Sequence, residues 1–80
     1  MYSVLIVDDE EPVLESYSYL IETARDDFEI SATARSGPEA LAAAHQRRPD
    51  VVLMDIAMPG MDGLDTIREM QHEFPEALYI

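Results

Sequence analysis

Cysteine and lysine are both missing from this chain of 80 residues. The first absence excludes disulfides and thiolate metal sites, and it suits a reducing, cytoplasmic setting. The second leaves arginine to supply all five formal positive charges against seventeen acids, for a net charge of −12. A surface of that sign repels nucleic acid and anionic membranes and favours cations and basic partner surfaces. Long apolar runs are missing too, so no stretch is able to span a bilayer. Val4 to Val7 is too short for the apolar region of a signal peptide and is followed at once by Asp8, Asp9, Glu10 and Glu11. Repeats, low-complexity tracts and linkers are absent as well. What remains, 48% hydrophobic residues, suffices for one small domain with a thin core and leaves no room for a second.

Val4-Leu5-Ile6-Val7 and Val51-Val52-Leu53-Met54 are continuous aliphatic runs, each ending in acid: Asp8-Asp9 after the first, Asp55 after the second. Runs without polar alternation are the mark of strands covered on both faces, as in a parallel sheet. Between them, Pro12 suits a helix's first turn, with Glu10 and Glu11 near its positive end. Leu14, Tyr17, Ile21 and Ala24 recur at helical spacing up to about Arg25-Asp26. Phe28, Ile30, Ala32 and Ala34 alternate with Glu29, Ser31 and Thr33, which predicts an edge strand with one buried face. Ser36-Gly37-Pro38-Glu39 has the form of a capping box ahead of an apolar stripe of Ala40, Leu41 and Ala44, and Pro49-Asp50 stops that helix. Beyond Pro59, Gly60 and Gly63 a third helix is expected from about Asp62, with Leu64, Ile67 and Met70 inward and Phe74 before a break at Pro75. Ala77 to Ile80 opens a further strand.

Strand and helix thus alternate with short connections, which predicts right-handed βαβ units in a parallel sheet flanked by helices. With the strand at Phe28 on the edge, the two buried strands are neighbours and the chain order reverses between them. That gap is where open α/β sheets bind ligands, at the carboxyl ends of their strands. Asp8, Asp9 and Asp55 are the residues delivered there. Two like charges about 4 Å apart at an effective dielectric of about 20 repel by roughly 4 kcal/mol, so three carboxylates in one crevice call for a proton or a cation. Mg²⁺ suits oxygen donors, takes one or two carboxylates and keeps waters or phosphate oxygens in its other positions. Met54 reads as core, and His45 and His72, without partners at ligand spacing, read as surface residues.

Leu5-Ile6-Val7-Asp8-Asp9-Glu10 and Val52-Leu53-Met54-Asp55-Ile56-Ala57-Met58-Pro59-Gly60-Met61-Asp62-Gly63 resemble the two hallmark segments of the receiver domains of two-component response regulators. The second is the more specific: an Asp that ends an apolar strand, then Met-Pro, then Asp-Gly. The resemblance implies a flavodoxin-like, doubly wound parallel sheet. It also implies that a sensor histidine kinase phosphorylates Asp55, in a Mg²⁺-dependent transfer that the domain itself catalyses along with dephosphorylation. Asp9 and Asp55 would hold the ion directly, Asp8 through water, and the backbone carbonyl of Ala57 would complete the protein's share. Met58, Pro59 and Gly60 would shape the loop beside the phosphate, and Gly63 would let the third helix start close to it.

The chain departs from that family in length and in three residues. Receivers normally run half as long again, with a hydroxyl residue ending the fourth strand, and a lysine and a switch aromatic on the fifth. Here the expectation is an incomplete receiver domain over residues 1–80, truncated within the fourth strand, and Tyr79 does not stand at the switch position. Such a chain is expected to keep Mg²⁺ binding, to phosphorylate poorly, and to dimerise or swap through its unpaired last strand. Output, such as DNA binding, would lie in a missing domain, and the acidic part seen here would not touch DNA. Two other readings compete. One is an interaction or dimerisation module that has lost phosphorylation. The other is an aspartyl-phosphate hydrolase of the haloacid-dehalogenase kind, which places a second Asp two residues after the nucleophile, where this chain has Ala57.

Overall fold

A computed structural model describes residues 1–24, 27–55 and 63–80. Along them run β1 (Tyr2–Val7), α1 (Glu11–Ala24), β2 (Phe28–Ala34), α2 (Gly37–Gln46), β3 (Val51–Met54), α3 (Gly63–Glu73) and β4 (Leu78–Tyr79). The strands pair in parallel in the order β2-β1-β3-β4, which makes β2 an edge and sets the two aliphatic runs side by side as expected. Each strand of the central pair is too apolar to leave a face in water, and helices cover both. Leu5, Val7, Val52 and Met54 pack under Ala40 and Ala44 of α2 and under Met70 and Phe74 at α3. On the opposite face Val4 and Ile6 pack with Leu14 of α1.

β1 begins two residues before its aliphatic run, because polar contacts extend it. Tyr2 N–H donates to the Asp27 carbonyl at 2.7 Å, and Ser3 N–H donates to Asp50 Oδ2 at 2.7 Å. The Ser3 hydroxyl in turn accepts from Asp50 N–H at 3.1 Å, so the start of β1 is clamped to the residue that leads into β3. Ser3 is buried, and a clamp of this kind removes the cost of an unpaired polar group there.

Three sequence expectations need correction. The alternation in β2 does not give it one buried face. The register with β1 shifts between Val4 and Leu5, so that Val4 faces Ile30 and Leu5 faces Ala32. Ser31 is left without a ladder partner, its hydroxyl donating to the Val4 carbonyl at 3.2 Å, and one extra residue flips the sides that follow. Phe28 and Ile30 therefore pack with the α1 cluster, whereas Ala32 and Ala34 pack with the α2 cluster. In α3, Leu64 is 51% exposed and Thr66 is buried in its stead. Met70 and Phe74 fix the helix phase, and at 3.6 residues per turn Leu64 lies about 120° around the axis from Met70. In α1, Tyr17 is 47% exposed. The helix rests on β1 and β2 through Leu14 and Ile21, which turns Tyr17 towards the β3 side and into an open cleft with Leu53 and Ile80.

The cap of α2 forms as a variant of the one expected. Glu39 N–H donates to Ser36 Oγ at 3.2 Å, but Glu39 Oε2 accepts from Arg35 N–H at 3.0 Å, one residue earlier than in a capping box. At the far end of the sheet Tyr79 donates its hydroxyl to the Phe74 carbonyl at 2.9 Å, and burial holds its phenol above the ordinary pKa.

Candidate functional site

Register brings the acids together. β1 and β3 pair Val7 with Met54, so the residues that follow, Asp8 and Asp55, emerge at one level of the sheet. The ladder continues through them: Asp8 N–H donates to the Ala34 carbonyl and Asp55 N–H to the Val7 carbonyl, each at 3.0 Å. Both backbones are thereby fixed by three adjacent strands. Asp9 comes next, on the turn into α1, and that turn is set by Asp8, whose Oδ1 accepts from Glu10 N–H at 2.9 Å. An Asx turn of this type leads the chain directly into the first turn of α1, where Val13 and Leu14 N–H groups reach the Glu10 carbonyl.

The result is that one carboxylate oxygen from each of Asp8, Asp9 and Asp55 lies within 4.8 Å of the other two. Asp8 is buried, and Asp9 and Asp55 are half-buried. At 4.8 Å and an effective dielectric near 20, each pair of charges repels by roughly 3 kcal/mol before solvent screening. The donor set is all oxygen, which selects hard cations over zinc or copper. Two oxygens bound to one Mg²⁺ at about 2.0–2.1 Å stand about 3 Å apart when adjacent and about 4 Å when opposite. A spread within 4.8 Å therefore fits two direct ligands and a third reached through water.

Beside the acids lies an open cleft of about 520 Å³ whose lining includes Asp8, Asp55, Val13, Tyr17, Leu53 and Ile80. Of the other residues singled out in the sequence, Met54 is buried in the core. His45 is on the surface, 3.2 Å from Glu73 Oε1 and edge-on to Phe74, and His72 is exposed. Ala57, Met58, Pro59 and Gly60 lie outside the described residues. One residue that pattern reasoning passed over also belongs to the neighbourhood: Arg35 donates from Nη2 to the Asp9 carbonyl at 3.1 Å. Its only mark in the sequence is a cation directly after a strand and before a helix cap.

Comparison with known proteins bears on this geometry. Residues 4–80 match the family model of the response regulator receiver domain. The chain is 43% identical over 75 residues to protein-glutamate methylesterase/protein-glutamine glutaminase 2 of Nitratidesulfovibrio vulgaris, covering 94% of this chain and 20% of that protein. It is 38% identical over 73 residues to the response regulator protein VraR of Staphylococcus aureus, covering 91% of this chain and 34% of that protein. Among solved structures, a chain in the crystal structure of histidine kinase ThkA in complex with response regulator protein TrrA matches with a TM-score of 0.81 and 34% identity. That match covers 99% of this chain and 66% of the other. The chain thus spans about a third of one of these curated relatives and a fifth of the other.

Proposed function

This chain belongs to the response regulator receiver family, and from that premise we propose that Asp55 is its phosphoacceptor and that Asp8, Asp9 and Asp55 form its Mg²⁺ site. The observation that carries the proposal is the convergence of three carboxylates from two adjacent strands on one crevice, at a spacing a hard divalent ion fits. Asp9 and Asp55 are proposed as direct ligands and Asp8 as a ligand through water. The carbonyl of Ala57 and the loop at Met58, Pro59 and Gly60 are proposed parts of the site that fall outside the described residues.

When bound, Mg²⁺ offsets charge on the phosphoryl oxygens during transfer. The chain's own part is nucleophile and geometry. A carboxylate oxygen of Asp55 attacks the phosphorus of a phosphohistidine on a sensor histidine kinase. The P–N bond breaks, the imidazole keeps the electron pair and takes a proton, and an acyl phosphate is left on Asp55. The ladder bond from Asp55 N–H to the Val7 carbonyl fixes the backbone that carries this carboxylate, and positioning of this kind lowers the barrier to transfer. Attack by water on the same phosphorus breaks its bond to the Asp55 oxygen, releases inorganic phosphate and restores the carboxylate. On this reading residues 1–80 belong to a receiver domain in the cytoplasm that takes up and loses a phosphoryl group without turning over any other substrate. The response regulators among its relatives support an output beyond this unit, with DNA binding as the proposed kind. No helix among the described residues is long and apolar enough to cross a membrane.

The test is incubation with Mg²⁺ and acetyl phosphate, followed by intact mass. The parent chain is expected to gain one phosphoryl group, slowly because no lysine is present to pair with the phosphoryl oxygens, and only with Mg²⁺; Asp55→Asn is expected to gain none. Equal labelling of parent and variant would refute the assignment. Pairing of two chains through β4, which ends the described sheet, is a second proposal. It requires a sedimentation mass that rises with concentration, most clearly at high salt, where the charge of −12 is screened. A monomer mass at every concentration would exclude it.

A further inference from the structure

Asp8 and Asp55 are held by the sheet, but Asp9 sits one residue beyond it, on a turn. Among the described residues, the side chain of Arg35 reaches this turn from a different element. It follows Ala34, the last residue of β2, and donates from Nη2 to the Asp9 carbonyl at 3.1 Å, while its Nε lies 3.9 Å from Glu11 Oε2 at the start of α1. Its own backbone is anchored in turn, since Arg35 N–H donates to Glu39 Oε2 at 3.0 Å and Glu39 belongs to the cap of α2. A chain of contacts therefore leads from the start of α2 through Arg35 to the backbone of Asp9.

We propose that Arg35 is a positioning residue for the divalent-cation site, acting through the Asp9 carbonyl to hold the Asp9 carboxylate beside Asp8 and Asp55. This rests on the Mg²⁺ reading above. Two effects of Arg35 oppose each other. Its donor group restricts the turn and so favours metal binding, in the way that outer partners of metal ligands generally do. Its positive charge repels a cation. The charge is the weaker effect, because the side chain is 58% exposed and has Glu11 as a counter-ion, and solvent screens exposed charges heavily. Removal of Arg35 is therefore predicted to weaken Mg²⁺ binding, the opposite of what removing a nearby cation does by charge alone.

Opposite signs make the proposal testable by calorimetric titration of MgCl2 into the whole chain. Arg35→Ala is expected to raise the Mg²⁺ Kd about three- to tenfold, below the full range for outer partners of metal ligands because the contact is exposed. Arg35→Lys, which keeps the charge and one donor, is expected to recover most of that loss. The urea midpoint of all three proteins in EDTA is expected to stay the same, which separates positioning from a general loss of structure. An unchanged or lower Kd in Arg35→Ala overturns the proposal. So does a loss of affinity that Lys fails to recover and that accompanies an equal loss of stability in EDTA. A parent chain that binds no Mg²⁺ overturns the metal reading itself, an outcome distinct from any effect of Arg35.

Discussion

With divalent cations chelated, Asp55→Asn is expected to be more stable to urea than the parent by about 1 kcal/mol, and saturating Mg²⁺ is expected to reverse that order. The first half follows from Coulomb's law. Three carboxylates lie within 4.8 Å of one another, and each pair repels by roughly 3 kcal/mol at an effective dielectric of about 20. Asp9 and Asp55 are only half-buried, so screening reduces the recoverable part to about 1 kcal/mol. Asn preserves the shape of Asp and removes its charge. The second half follows from linkage: an ion present at about a hundred times its Kd adds about 2.7 kcal/mol to a folded state that alone binds it. The parent receives that gain and the variant, short of one anionic ligand, receives less. Urea melts with EDTA and with Mg²⁺, on both proteins, read the crossing directly. Parallel shifts of the two proteins under Mg²⁺ would mean that Asp55 takes no part in binding.

Leu5→Ala is expected to remove about 3 kcal/mol of stability, within the range of about 2–5 kcal/mol for truncating a buried leucine. Leu5 is 1% exposed on the central strand β1, flanked by Ala32 on β2 and Val52 on β3. The helix above it offers Ala40 and Ala44, which are too small to fill the space left behind. At about 0.05–0.15 kcal/mol per residue a domain of 80 residues has about 4–12 kcal/mol in all, so this one change consumes a large share. The urea midpoint should fall with the slope unchanged. Leu78→Ala is the contrasting variant: Leu78 is 58% exposed, and its loss should shift stability by no more than about 0.5 kcal/mol. A loss below about 1 kcal/mol in Leu5→Ala would contradict the packing described.

The readable parts of this chain were those in which a local pattern has one physical solution. A run such as Val4 to Val7 without a polar break belongs in a sheet covered on both faces, and two such runs ending in acid place their acids at one edge. With the strand at Phe28 on the edge, these runs become neighbours, and Asp8, Asp9 and Asp55 meet at their carboxyl ends. Patterns failed where neighbours in space decide. The apolar residues from Phe28 to Ala34 all pack against the core, yet one unpaired residue, Ser31, sends the two halves of the strand to opposite faces. Leu64 looked inward because it is apolar, but Met70 and Phe74 are more deeply buried and set the rotation of α3. The clamp between Ser3 and Asp50 joins residues 47 positions apart, and no window on the sequence spans it. Arg35 was missed for the same reason, its partner Asp9 being 26 positions away.

Of the three carboxylates, Asp55 is the one proposed to take up the phosphoryl group. An acyl phosphate is attacked by hydroxylamine, which leaves a hydroxamate on the carboxyl carbon that carried the phosphate. After reaction with acetyl phosphate and Mg²⁺, trapping with hydroxylamine and digestion into peptides, the hydroxamate is expected on Asp55. A hydroxamate on Asp8 or Asp9 would contradict it, as would a stable phosphoryl group recovered on a serine, threonine or tyrosine.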